Sequence, residues 1–312
     1  MDGPARIPEA PPSLDTFLQW APQPVPVLPV LGAVAAALYL TAVLAARHRG
    51  ISWPWWRTGL FLTGAALIVA LTGSALEGYG YRMFSVFMFQ QLTLMMTVPP
   101  LLILGAPGTL LLRATATTGW TRPLRRLAIV GLRSRTARML LHPGFMVPLF
   151  LFVFYGLYFS GLATTLLATV AGHQILETVF LAAGVLFTLP LISPDPLPRR
   201  QSHLGRLFDM FVEMPLHAFF GVIAMMATVP LVTFFSHAPA GWGIDPIEDQ
   251  RVAGALAWSY GELPSLIIVL ILLFGWASDD TRRAKAADRR KDRDGDPELD
   301  AYNAWLARLG RR

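Results

Sequence analysis

The chain has 312 residues, 54% of them hydrophobic and only 15% charged, with a mean hydropathy of +0.49. A water-soluble domain of that length keeps more charge for its surface, so the composition excludes a soluble globular protein and points to lipid as the solvent. There is no cysteine, which removes disulfides, thiolate metal sites and a thiol nucleophile together.

Taken in chain order, the opening "MDGPARIPEAPPSLD" lacks the basic start and clean apolar stretch of a signal peptide. Residues 1–24 are expected to form a flexible extracytoplasmic segment. Seven windows near 25–46, 55–73, 83–105, 145–163, 169–192, 211–235 and 253–276 are apolar over about the 20 residues a bilayer core demands. The second is a short run and opens with Trp55 and Trp56, which suit a membrane interface. The expected fold is an all-α bundle of seven transmembrane helices over 25–276. Within the third window Pro99 and Pro100 remove two backbone donors and predict a kink or stop. "LGAPGT" predicts a second break, leaving 101–113 as a short tilted or interfacial piece.

Residues 277–312 are expected to form a charged cytoplasmic tail. "DDTRRAKAADRRKDRDGD" would carry the seventh helix past the membrane, and "DPELDAYNAWLARL" predicts a short amphipathic helix. Asp296 is its expected N-cap and Pro297 its first residue. Leu299, Tyr302, Trp305 or Leu306, and Leu309 would form an apolar stripe, docking on a partner subunit, on the inner leaflet, or on the protein's own loops.

Charge predicts the orientation. Of the 26 lysines and arginines, all but Arg6, Arg82 and Arg251 fall in 47–57, 113–138, 199–206 or the tail, which are alternate connections of a seven-span chain. Basic loops stay cytoplasmic, so the N-terminus is expected outside and the C-terminus inside. The net charge of +6 then reports topology and gives no support to nucleic-acid binding. Anionic lipid headgroups are the expected partner of "RRLAIVGLRSRTAR".

Polar groups within the spans are costly in lipid and therefore informative. At about 1.5 Å of rise per residue, Gln90 and Gln91 lie roughly 11 Å below the outer surface. His173 lies roughly 6 Å, Glu177 roughly 12 Å and Glu262 roughly 13 Å down. Met225 and Met226 reach a similar level when counted from residue 235. Met88, Gln91 and Met95 share a helix face, as do His173 and Glu177. These residues form an expected outer polar layer of Met88, Gln90, Gln91, Met95, His173, Glu177 and Glu262, in which Glu262 could pair with His173 across the bundle. A second expected cluster, nearer the cytoplasm, contains His142, Glu213, Met214 and His217. The alternative for each group is ordinary interhelical hydrogen bonding and core filling. No nucleophile and general base can be paired, so an enzyme is not expected.

The run "FSVFMFQQLTLMMTVPPLLILGAPGTLLLRA" resembles the multi-spanning CtaG family of cytochrome c oxidase assembly factors. The resemblance continues through "HPGFMVPLFLFVFYGLYFSGL", "HQILETVFLAAGVLFTLPLISPDPLPRR", "MPLHAFFG" and "DQRVAGALAWSYGELPSL". It covers about residues 55–300 and implies a role in building haem–copper oxidases at the copper step of the catalytic subunit. The family's third span reads His-Met-x-Gln-His, and Phe87 and Gln91 stand at the histidine positions here. In the fifth span His173 matches, whereas Glu177 and Val179 stand where histidine is expected. The resemblance thus implies a bacterial-type plasma-membrane protein that holds an oxidase subunit, with copper handling reduced or lost. His173, Met88 and Met95 are the remaining soft donors for copper. A copper-binding or copper-transport protein and a permanent scaffold of the respiratory complex stay open as alternatives. Proton-coupled transport through Glu177 and Glu262 is a weaker one, since nothing resembles an inverted repeat.

Overall fold

The computed structural model describes residues 5–115, 121–198, 201–294 and 297–310, and among them every extended element is a helix. Six helices are long and apolar enough to cross a bilayer. They are α1 (Val27–His48), α2 (Trp55–Gly73), the interrupted span Phe84–Ala114, Val170–Ile192, His203–Met226, and Pro246–Arg290 within a helix that runs Pro246–Asp294. With the short helices between them, the numbering continues α3 (Ala75–Gly80), α4 (Phe84–Ala114), α5 (Arg122–Arg133), α6 (Pro143–Phe159), α7 (Val170–Ile192), α8 (His203–Met226), α9 (Pro246–Asp294) and α10 (Pro297–Leu309). The fourth expected span corresponds to α6, which is apolar but shorter than the others. It is stopped at Ser160 and at Gly161, whose φ of 77° is one that a glycine adopts freely. The chain divides into two compact units, Met1–Val269 and Leu270–Arg312.

The prolines of α4 do not end it. The helix widens into a π-helical stretch at Thr93–Thr97 immediately before them, and Pro99 and Pro100 then open a fresh helical segment, Val98–Leu104. A first turn needs no intrahelical donors, so both prolines are tolerated there. The second expected break, in "LGAPGT", is found at Gly105–Ala106, where Ala106 takes a left-handed φ of 51° before Pro107–Ala114 begins. Two carboxylates hold the ends of this span from a distance. Asp249 of α9 accepts from the Phe84 N–H (2.5 Å) and from the N–H and hydroxyl of Ser85. Asp195, in the loop after α7, accepts from the N–H of Gly108 (2.8 Å) and the N–H (2.6 Å) and hydroxyl of Thr109. Each satisfies the orphan donors of a helix start and places negative charge at its positive end.

Close backbone approach sets the packing of the centre. A Cβ at Gly184 of α7 would stand 2.1 Å from the carbonyl oxygen of Met95, so α7 lies directly on the π-helical stretch of α4. A Cβ at Gly221 of α8 would meet the Gly254 oxygen at 2.6 Å, and the reverse substitution clashes equally. Small residues are what allow membrane helices to approach this way. The main core joins Phe84, Phe87, Met88, Phe154, Phe180 and Phe220 from α4, α6, α7 and α8.

Several expected boundaries shift. The segment before α1 is packed against the bundle: Arg6 and Gln23 exchange hydrogen bonds, the Tyr79 hydroxyl donates to the Ala10 carbonyl, and Phe17 meets Tyr79 edge-on at 5.0 Å. The expected flexible lead-in is thus held by Tyr79, a residue of α3 that hydropathy windows pass over. The sixth span ends at Met226 rather than 235, because Pro230 and the Leu231 N–H, which is bound by Gln250, belong to a loop. The seventh begins at Pro246 rather than 253. In the second unit α10 exposes Tyr302, Trp305, Leu306 and Leu309 on its surface, with the Tyr302 and Trp305 rings stacked at 5.9 Å. Its expected N-cap, Asp296, lies outside the described residues, as does the side chain of Leu299.

Candidate functional site

Two carboxylate–imidazole clusters stand in the helical bundle, buried except at Glu262. The first is built on His173, three residues into α7 and wholly buried. Its Nε2 faces Glu77 Oε1 at 3.5 Å and Glu177 Oε1 at 3.9 Å. Glu177 is its i+4 neighbour, whereas Glu77 arrives from α3, a helix of six residues between α2 and α4. Donor atoms of the three side chains all lie within 4.8 Å of one another.

The surroundings orient these groups. The Gln90 amide donates to Glu77 Oε2 at 2.8 Å and to the Leu71 carbonyl at 3.0 Å, which turns Glu77 Oε1 towards the imidazole. Tyr81 stacks on the His173 ring at 3.9 Å, and Phe87 meets it edge-on at 5.3 Å. Among the described residues neither ring nitrogen of His173 has a hydrogen-bond partner, and Glu177 Oε1 has none. Glu77 lies outside the spans, and burial pushes its carboxyl up to about 7, against the lowering effect of the neighbouring Glu177 and Gln90 side chains. Burial likewise raises the Tyr81 hydroxyl, with Glu77 and Glu177 adding to the shift.

The second cluster joins α8 and α9. His217 Nδ1 lies 3.0 Å from Glu213 Oε1, Ser265 donates to Glu213 Oε2 at 3.2 Å, and Glu262 Oε1 lies 3.8 Å from His217 Nε2. Beside it is a cavity of about 20 Å³ lined by Met95, Met96, Thr188, Glu213 and Ser265 among others. That is space for roughly one water.

The expected groups are redistributed accordingly. Gln90, His173 and Glu177 come together. Glu262 does not join them: α9 begins seven residues before the expected start, so Glu262 sits a further two turns along, about 24 Å from the helix start, and faces His217. The expected Glu262–His173 pair is therefore absent. Gln91 accepts from the Tyr158 hydroxyl, a polar link from α4 to α6. Met95 lines the inner cavity and Met88 is buried in the main core. Met226 is exposed at the end of α8, so the level assigned to Met225 and Met226 does not hold. In the inner set, Glu213 and His217 pair while Met214 is half-buried beside them. His142 is exposed and caps α6, its Nδ1 accepting from the Gly144 N–H at 2.9 Å. A histidine preceding a proline at a helix start has this local use, which pulls it away from the cluster.

Glu77 is the residue that the sequence reading missed. It falls between hydropathy windows, in "SALEGYGY". The available signal was a lone acid among small residues, seven positions before the span that carries Gln90 and at the same end of the bundle.

Of the copper set expected from His173, Met88 and Met95, Met88 is buried in the main core and Met95 lines the inner cavity. The carboxylates of Glu77 and Glu177 are the groups that face His173 Nε2. Thioether and imidazole suit Cu(I), whereas carboxylates suit harder ions.

Residues 37–279 match the family model for the cytochrome c oxidase caa3 assembly factor. Uncharacterized proteins of Mycobacterium bovis and Mycobacterium tuberculosis are each 40% identical over 284 residues, which is 90% of this chain and 43% of theirs. One of Mycobacterium leprae is 37% identical over 289 residues, 90% of this chain and 44% of its own. The chain thus spans less than half the length of the curated relatives it matches. No solved structure matches.

Proposed function

We propose, for a chain that belongs to the cytochrome c oxidase caa3 assembly factor family, that it holds the catalytic subunit of a haem–copper oxidase during assembly in a bacterial plasma membrane, without delivering copper itself. The observation that carries this reading is the family match, which runs through nearly the whole membrane part, residues 37–279. The copper clause rests on the two carboxylates that face His173, which suit harder ions than Cu(I).

The reading includes seven spans with the N-terminus outside. Counting Pro143–Phe159 as a crossing puts the basic connections 113–138 and 199–206 on one side, whereas leaving it out would separate them. Its 17 residues give about 25 Å of helix, short of the roughly 30 Å hydrocarbon core, so it crosses with local thinning of the bilayer. The amphipathic α5 then lies on the anionic cytoplasmic leaflet, with Leu124, Leu127 and Val130 exposed beside its arginines.

Crosslinking in native membranes followed by purification tests the role. The immature catalytic subunit should be recovered with the chain, and the mature oxidase should not. Stoichiometric recovery with the finished enzyme would identify a permanent scaffold subunit instead.

A further inference from the structure

We propose that Glu77, His173 and Glu177 form a binding site for one hard or borderline divalent cation, of the Mn²⁺ or Zn²⁺ class. The site stands on geometry and is independent of the oxidase reading. Two buried carboxylates face the same nitrogen, Nε2, of a wholly buried imidazole whose ring nitrogens lack partners among the described residues. His173 Nε2 is too far from either carboxylate oxygen, at 3.5 and 3.9 Å, to hydrogen-bond to it. Those separations are instead what a shared ion produces: two ligands bound at about 2.1 Å in tetrahedral geometry stand about 3.4 Å apart.

Charge points the same way. Two carboxylates within 4.8 Å of a common imidazole repel each other when ionised away from water. A dication neutralises both at once. The supporting contacts resemble those around metal ligands generally, since Gln90 fixes one carboxylate from behind and Tyr81 fixes the plane of the imidazole. One imidazole with two carboxylates favours Zn²⁺ or Mn²⁺ over Cu⁺.

The test uses the full chain purified in detergent and stripped with a chelator. It is titrated with Mn²⁺, followed by the loss of the free-ion magnetic resonance signal, and with Zn²⁺, followed by calorimetry. Cu⁺ is titrated in parallel. The expected result is one Mn²⁺ or Zn²⁺ per chain, with a metal-dependent rise in thermal midpoint. Glu77→Gln and Glu177→Gln should each weaken binding by about tenfold or more, and Gln90→Ala by about tenfold, whereas Glu262→Gln should bind as the parent does. Glu177→Asp keeps the charge and withdraws the carboxylate by one methylene, and it must also weaken binding, so the test survives misfolding of a glutamine variant. Absence of stoichiometric binding, binding of Cu⁺ alone, or affinity unchanged in the Glu77 and Glu177 variants would overturn the proposal.

Discussion

Glu77→Gln should stabilise the metal-free protein at alkaline pH and do nothing for it in acid. Glu77 is fully buried beside Glu177 and His173 of α7 and Tyr81, and its carboxyl titrates at about 7 in the fold against 4.5 when exposed. A raised carboxyl pKa means that the folded state resists ionisation. Stability linked to this group is therefore fully present below pH 4.5, falls as pH rises towards 7, and is flat above that. At about 1.4 kcal/mol per pKa unit the ionised carboxylate costs roughly 3 kcal/mol at pH 8. Glutamine keeps an acceptor for the Gln90 amide and carries no charge, so most of that cost disappears. Thermal midpoints of the chelator-treated protein in detergent would show it. Glu77→Gln should melt several degrees above the parent at pH 8 and within about a degree of it at pH 4.5. Equal melting at pH 8, or the same increment at both pH values, would refute the electrostatic argument.

Other consequences are as direct. Asp249→Ala leaves the N–H groups of Phe84 and Ser85 without their buried acceptor and should cost about 2–4 kcal/mol, read as lowered melting and abundance. Phe87→His with Gln91→His should raise Cu⁺ affinity, because Phe87 already meets His173 edge-on; a competition titration showing no gain in the folded variant would count against that facing. A reporter placed after Arg312 should be cytoplasmic and one inserted near Ala240 external. Both on one side would change the span count as well as the orientation.

Residue type and hydropathy carried much of the architecture: the apolar windows became helices, and Gln90, His173 and Glu177 were legible as polar groups that lipid would not tolerate alone. What failed was arithmetic that depends on helix ends. Starting α9 at Pro246 moved Glu262 from His173 to His217, and ending α8 at Met226 removed the two methionines from their assumed depth. Such ends lie among tertiary hydrogen bonds, such as that from the Leu231 N–H to Gln250, which no local pattern encodes. At Pro99 and Pro100 the helix does not stop, since a π-helical stretch ahead of them lets it restart. Glu77 was invisible because it sits on a short helix between windows, and only the fold brings it to His173.

The most direct test of the central claim is the oxidase content of membranes from cells lacking this chain, measured by haem difference spectra and by the abundance of the catalytic subunit. Assembled oxidase should fall sharply without the chain and return when it is restored, with the immature subunit accumulating or being degraded meanwhile. Unchanged oxidase spectra and activity in the deletion would contradict the account.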